Sequence, residues 1–245
     1  MTDQRVSKRL SVVIPAFAQE GSIGPDLERI QKTIRSISRD YQIVVVVDGV
    51  VDRTAEIARA VAGPRTSVEV IEKNRGKGFA VRRGVSMTDG RVVGFIDAGG
   101  DIDPSAIQTT ASLIGDGTAD IAIGSKRHPL SEVKYPLGRR ISSRGYQWLC
   151  RLLFGLSVRD TQVGIKFMSR AVADSVMPSL ETDGFSFDVE MLALAHRRGF
   201  VRLRECPVKI DLAFPSTINS GTVVRMLLDT LRIFFRMRVM RRYDD

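Results

Sequence analysis

Three short runs constrain the fold of this chain most: Ser11–Pro15 (SVVIP), Ile43–Val47 (IVVVV) and Val92–Ile96 (VVGFI). Each is apolar without alternation and too short for a helix, the pattern of a strand buried on both faces. Between and around them lie stretches with helical spacing: residues 24–38, carrying Leu27, Ile30, Ile34 and Ile37, then 54–61, 77–86 and 105–113. Val68–Ile71 and Ile121–Gly124 read as two further strands. Strands alternating with helices predict an α/β fold, a mostly parallel central sheet flanked by helices. Ligands of such sheets bind at the carboxyl ends of the strands. Asp48 and Asp97 each follow one of these runs, which makes both candidate site residues, although an aspartate there also serves as a helix cap.

At 245 residues the chain is one large α/β domain or two small ones. Its two cysteines, Cys150 and Cys206, lie in apolar surroundings without metal-ligand spacing and read as reduced structural residues. The polar residues 1–9 do not resemble a secretory signal, and no run of about 18 apolar residues could span a bilayer. A cytoplasmic location is expected. The net charge of +9 calls for an anionic partner. Basic residues gather in Lys126–Arg151 and Arg225–Arg242, interleaved with apolar and aromatic ones, and neither segment has the spacing of a nucleic-acid module. Phosphorylated substrates and a membrane surface are therefore the expected partners, and nucleic acid is not.

The stretches VVIPAFAQE, VVVVDGVVDRT, NRGKGFAVRRG, FIDAGGDIDP, GSKR, RRISSRG, DTQVGIKF and FSFDVEML follow one another in order. Together they resemble family 2 glycosyltransferases, and more closely the polyprenyl-phosphate members, the dolichyl-phosphate mannose and glucose synthases. The resemblance covers residues 10–215 and implies a GT-A fold with a Rossmann-like nucleotide-binding half. It divides the chain into a GT-A domain over 1–215 (donor half about 10–125, acceptor half about 126–215) and a basic amphipathic helix over 216–245. It further implies inverting transfer of a hexose from UDP-glucose or GDP-mannose to a polyprenyl or dolichyl phosphate, with Mg²⁺ or Mn²⁺ as cofactor.

On this resemblance Pro15, Ala16 and Glu20 belong to the loop around base and ribose, with Ala18 where the family has Asn. Asp48 matches the second Asp of a D-D-G-S pattern whose first is Val47 here, and a carboxylate there would accept from a base edge. Lys77, in a glycine-rich loop opening a helix, faces the donor phosphates. Asp97 and Gln162 correspond to metal ligands. Gly99 stands where the second Asp of a D-x-D pair is usual. Three readings stay open: Asp101 or Asp103 takes over, water takes over, or turnover is lost.

Arg127, beside Lys126, and Arg139 with Ser143 match the family's acceptor-phosphate residues. The last two, four apart, share a face if helical. The resemblance implies that Asp188 and Glu190 of the FDVE block shape the sugar pocket or hold active-site basic residues. A phosphate acceptor is already anionic and needs positioning and charge compensation, not a general base, which suits a site rich in arginines. Thr222–Met237 gathers Arg225, Asp229, Arg232 and Arg236 on one stripe, with apolar residues elsewhere. With the apolar, aromatic Gly145–Leu156 it predicts a peripheral enzyme on the cytoplasmic membrane face, compatible with a membrane-protein partner. The rivals are a family 2 transferase with a soluble or polysaccharide acceptor and a non-catalytic nucleotide-sugar-binding homologue.

Overall fold

The computed structural model describes residues 9–133, 138–211 and 220–243, with side chains placed for all of these except 138–144, 220 and 222–223. The chain runs β1 (Leu10–Ala16), α1 (Ile23–Ile37), β2 (Tyr41–Asp48), α2 (Thr54–Val61), β3 (Thr66–Ile71), α3 (Lys77–Ser86), β4 (Val92–Ile96), α4 (Ala106–Gly115) and β5 (Ile121–Ser125). It continues with β6 (Glu132–Val133), α5 (Gly138–Phe154), β7 (Ile165–Ser169), α6 (Arg170–Val176), α7 (Phe187–Arg197), β8 (Leu203–Pro207), β9 (Lys209–Ile210) and α8 (Ser220–Arg238). The five expected strands all form, because unbroken β-branched runs have nowhere to sit but between two helical layers.

The main sheet has seven strands in the order β3-β2-β1-β4-β7-β5-β8, and β6 pairs with β9 in a small second sheet. All neighbours in the main sheet are parallel except β7, which runs antiparallel between β4 and β5. This antiparallel strand is absent from the sequence expectation: its segment, IKFMS, carries Lys166 in an otherwise apolar stretch. From β1 the chain winds outward to β2 and β3 and then returns to add β4 on the other side of β1. The order therefore reverses between β1 and β4, and the crevice at their carboxyl ends is where such sheets bind ligands.

Each sheet face carries its own core. On one, Val12, Ile14, Val45, Ile96 and Phe167 pack against α1, α2 and α4. On the other, Val13, Val44, Val46, Phe95 and Met168 pack against α3, α6 and α7, with Ile233, Met237 and Tyr243 of the C-terminal segment in the same cluster. α8 is thus docked along one side; its Thr230 hydroxyl meets Tyr146 of α5 at 2.8 Å, and Phe234 meets Phe154 edge-on at 6.1 Å. Other apolar side chains of α8 are outside: Val224, Leu227, Leu228, Leu231 and Phe235 are all exposed, as are Trp148 and Leu152 of α5. Both cysteines are buried and free, and burial pushes the Cys150 thiol up to about 11. No helix among the described residues is long and apolar enough to cross a membrane.

Candidate functional site

The end of β2 and the loop before α3 are tied together by Asp48. Its carboxylate, 3% exposed, accepts from the backbone N–H of Arg75 (2.9 Å, at Oδ1) and of Gly76 (2.7 Å, at Oδ2). Asn74 Nδ2 donates to the Asp48 carbonyl at 3.1 Å. Both oxygens that the resemblance assigned to a base edge are therefore engaged in shaping the glycine-rich loop before α3. Gly76 has φ +114, a conformation side chains rarely adopt, and a Cβ there would run into the Asp183 carbonyl. That carbonyl accepts from Gly78 N–H (2.7 Å) and Phe79 N–H (3.3 Å), so the first amides of α3 point at protein backbone. Arg82 donates to the Thr182 carbonyl and pairs with Asp183, and Arg83 pairs with Glu69.

What this loop presents is Lys77. Its ammonium lies 2.7 Å from Asp97 Oδ1 and 2.8 Å from Oδ2, at the mouth of β4. Burial opposes the Lys77 charge, but Asp97 and Asp188 outweigh it and hold its pKa above the ordinary lysine value. The Asp97 side chain is 38% exposed and faces the crevice. Behind it, Asp97 N–H donates to the Gly164 carbonyl at 2.7 Å. A Cβ at Gly164 would overlap the Asp97 carboxylate, which explains glycine within DTQVGIK: the strand must pass directly under the aspartate.

A second ion pair lies deeper. Lys166 Nζ is 2.7 Å from Asp188 Oδ1, with side chains 0% and 2% exposed, and donates to the Val163 carbonyl at 2.7 Å. Burial pushes Lys166 down and Asp188 up from their ordinary values, each only partly offset by the other. The Phe95 ring is shared, 5.5 Å from Lys77 Nζ and 5.3 Å from Lys166 Nζ. Asp188 thus lies beneath the site, supporting basic residues. Glu190 is equally buried, accepting from the amides of Glu181 and Thr182, and its partners include Arg236 and Tyr243.

The DAGGD loop is rebuilt around a residue that sequence reasoning missed. Gly99 and Gly100 have φ +120 and +78, and both amides donate to Asp26 Oδ2 at 3.2 Å. Asp26, from the first turn of α1, is 3% exposed; Arg29 reaches its Oδ1 at 2.8 Å and the Gly100 carbonyl at 3.1 Å. Burial raises the Asp26 pKa against these hydrogen bonds. No sequence signal marked it, because an acid in a first helical turn is commonplace. Burial raises the Asp101 pKa, the nearby charges of Asp26 and Asp97 add to this, and Lys126 opposes it. Asp103 instead caps α4 through Ser105 N–H at 2.9 Å.

Asp101 Oδ1 and Gln162 Nε2 are buried atoms without hydrogen-bond partners, and Asp97 Oδ1 meets only the Lys77 ammonium, at 2.7 Å. Hard oxygens of this kind, few in number, fit a divalent ion that keeps waters and diphosphate oxygens as its other ligands. Among the described residues no group of three His, Cys, Asp or Glu side chains converges on one point.

Pro15 and Ala16 are buried within β1, and the Pro15 carbonyl accepts from Ala98 N–H at 3.4 Å. Glu20 and Asp52 brace each other's loops: Glu20 N–H donates to Asp52 (3.1 Å) and Arg53 N–H to Glu20 (3.2 Å), while Asp52 also caps α2 at Thr54 N–H (2.9 Å). Arg127, after β5, donates to Gln147 of α5. Arg139 and Ser143 fall on the same helix, but their side chains lie outside the described residues. A cavity of about 1050 Å³ opens between the Asn74–Lys77 loop and α8, lined by Arg75, Lys77, Phe185, Arg225, Leu231 and Phe235 among others.

Comparison with known proteins gives this crevice its context. Residues 11–176 match the family described as Glycosyl transferase family 2. The dolichyl-phosphate beta-glucosyltransferase of Drosophila melanogaster is 34% identical over 77% of this chain and 63% of its own length, so the chain spans less than two thirds of that relative. The Saccharomyces cerevisiae protein of the same description is 31% identical over 81% of this chain and 66% of its own, and an uncharacterized Methanocaldococcus jannaschii protein is 31% identical over 81% and 79%. Among solved structures, glucosyl-3-phosphoglycerate synthase from Mycobacterium tuberculosis, in complex with Mn²⁺, UDP and its product, superposes with a TM-score of 0.73 at 19% identity, covering 94% of this chain and 81% of that one. The fold is that of the GT-A glycosyltransferases, and the chain belongs to glycosyl transferase family 2.

Proposed function

We propose that the chain transfers a hexose, glucose before mannose, from a nucleoside-diphosphate sugar to a polyprenyl phosphate at a membrane surface, with inversion. The observation that carries this reading is the Lys77–Asp97 pair at the β1/β4 reversal, in a chain whose relatives are described as dolichyl-phosphate beta-glucosyltransferases. The UDP-glucose-bound state of the mycobacterial neighbour supports a uridine donor. In the reaction, the bond from sugar C1 to the donor diphosphate breaks and its electron pair leaves with the nucleotide. An oxygen of the acceptor phosphate supplies the new bond, and no proton has to be removed first.

Each residue has a part in this. Lys77 lies where it can compensate charge growing on the leaving diphosphate, and the Asp48-tethered loop fixes its approach. Asp97, with Gln162 and Asp101, would hold Mg²⁺ or Mn²⁺, which supplies Lewis-acid neutralisation of the diphosphate when bound. Arg127 with Arg139 and Ser143 of α5 would hold the acceptor phosphate. The exposed apolar side chains of α8 and α5 suit an acceptor delivered from a lipid surface. On this reading residues 216–245 are the interfacial segment and 1–215 the transferase domain, acting from the cytoplasmic face.

The test is transfer of labelled sugar from UDP-glucose and from GDP-mannose to a short polyprenyl phosphate, with Mg²⁺, Mn²⁺ or EDTA. Lipid-linked product that disappears with EDTA is expected. Transfer to a water-soluble phosphorylated acceptor, with none to the lipid, would replace the lipid acceptor by a soluble one.

A further inference from the structure

The Glu190 carboxylate is 0% exposed, yet it joins three segments of the chain. It accepts from Thr182 N–H (2.8 Å) and Glu181 N–H (3.3 Å), pairs with Arg236 Nη2 of α8 (3.3 Å), and receives the Tyr243 hydroxyl. Arg236 also reaches Glu181 Oε2 (2.9 Å) and Thr182 Oγ1 (2.8 Å), and Arg242 reaches Glu181 at 3.0 Å. A buried carboxylate is tolerable here because its oxygens are matched by donors, one of them cationic.

The segment it grips is not idle. Asp183 supplies the carbonyl that caps Gly78 and Phe79, the Thr182 carbonyl takes Arg82 at 3.1 Å, and glycines at 76 and 78 let the two backbones touch. A continuous path therefore leads from α8 through Glu190 to residues 181–183, to the first turn of α3, and to Lys77 on Asp97. The segment has no regular secondary structure of its own between residues 180 and 183.

We infer that Glu190 is a positioning residue for the donor site, transmitting the seating of α8 to the loop that presents Lys77. The inference rests on the proposed role of Lys77 toward the donor diphosphate. It makes the C-terminal helix part of the transferase machinery, so that the same helix whose exposed apolar side chains line the cavity beside the Asn74–Lys77 loop also sets that loop.

Two substitutions in the full chain remove side-chain donors to Glu190: Tyr243→Phe, which leaves every contact of residues 181–183 and α3 in place and is the deciding one, and Arg236→Met, which also removes the bonds of Arg236 to Glu181 and Thr182. Amide hydrogen exchange is the direct readout, beside the affinities for UDP and GDP with Mn²⁺. Exchange at Gly78, Phe79 and Thr182 should accelerate about tenfold or more, with β1 and β4 unchanged. Nucleotide affinity should fall with it, and Arg236→Lys, which keeps a donor, should recover most of both. Acceleration confined to α8, or uniform through the sheet, would overturn the inference, since either result describes packing alone. If the unaltered chain binds neither nucleotide, the donor-site reading of Lys77 falls, while the exchange pattern still decides whether Glu190 sets the first turn of α3.

Discussion

Lys77 Nζ reaches both oxygens of Asp97, at 2.7 and 2.8 Å, so the cation of the glycine-rich loop and the carboxylate at the end of β4 form one unit at the sheet's crevice. On the proposed function, a divalent ion at Asp97 would have to share these oxygens with the lysine. Replacing Lys77 by Met removes the donor-facing charge, and sugar transfer should fall about 100-fold or more, the scale seen when a preorganised charge-stabilising donor is lost. Because the Lys77 pKa is raised, its stabilising contribution is complete below the ordinary lysine value of about 10.4. It is lost only as pH rises through the raised folded-state value. Activity profiles between pH 6 and 9 should therefore show no step from Lys77, and thermal stability should begin to lose this contribution only under strongly alkaline conditions.

The buried pair of Lys166 and Asp188 behaves differently. Burial pushes the Lys166 pKa down and the Asp188 pKa up, and buried ion pairs of this kind commonly return less than their desolvation costs. Asp188→Ala leaves a lone ammonium in the core and should lower stability by about 3–5 kcal/mol in urea denaturation. The double change Lys166→Met with Asp188→Leu should recover most of that loss. If the double variant is no more stable than Asp188→Ala, the pair is a net stabiliser and this account of it fails.

Gly99 poses the question whether the missing second carboxylate could simply be put back. At φ +120 the backbone there is in a region that side chains rarely occupy, and its amide is already held by Asp26. Gly99→Asp should therefore cost about 1–3 kcal/mol of stability and should not tighten Mn²⁺ binding measured by calorimetry. A variant that gained both affinity and activity would show that the loop relaxes easily and that Asp26 is not what shapes it.

Much of this was readable in the sequence, and the exceptions have physical causes. β1, β2 and β4 were legible because their β-branched runs have no alternative, and Asp97 because it stands where such a run stops. β7 was not, because its Lys166 is acceptable in a buried strand only beside Asp188, a partner that local pattern cannot supply. Asp48 was expected to meet a base edge, but its oxygens take the amides of Arg75 and Gly76, from a loop that only the fold brings near. Asp26 belongs to the same class, since the packing of α1 against the loop after β4 creates its role.

Ala18 has φ 53, a left-handed conformation that costs an alanine about 1–2 kcal/mol. Glycine occupies that region freely and asparagine more readily than alanine does. Ala18→Gly should therefore raise the midpoint of urea unfolding, by about 1 kcal/mol in stability, without disturbing the Gln19 N–H bond to Thr54 Oγ1 at 2.8 Å. An unchanged or lowered midpoint would mean that the backbone at residue 18 is not strained in solution.

The outward face of α8 yields the last prediction. At about 100° per residue, Thr230, Ile233 and Met237 fall on one stripe, which is buried. Val224, Leu228, Leu231 and Phe235 fall on another, which is exposed, and the arginines occupy the arc between. A helix that needed only to pack on the protein would carry polar groups on that second stripe, as these side chains make no core. Leu231→Ser with Phe235→Ser should therefore leave the melting temperature nearly unchanged, because half-exposed side chains return little stability. The same pair should abolish sedimentation with vesicles containing anionic lipid, and reduce transfer to vesicle-borne polyprenyl phosphate more than to detergent-dispersed acceptor. Were vesicle binding to survive both substitutions and vanish instead in high salt, the arginines alone would carry the attachment, and the apolar stripe would need another partner.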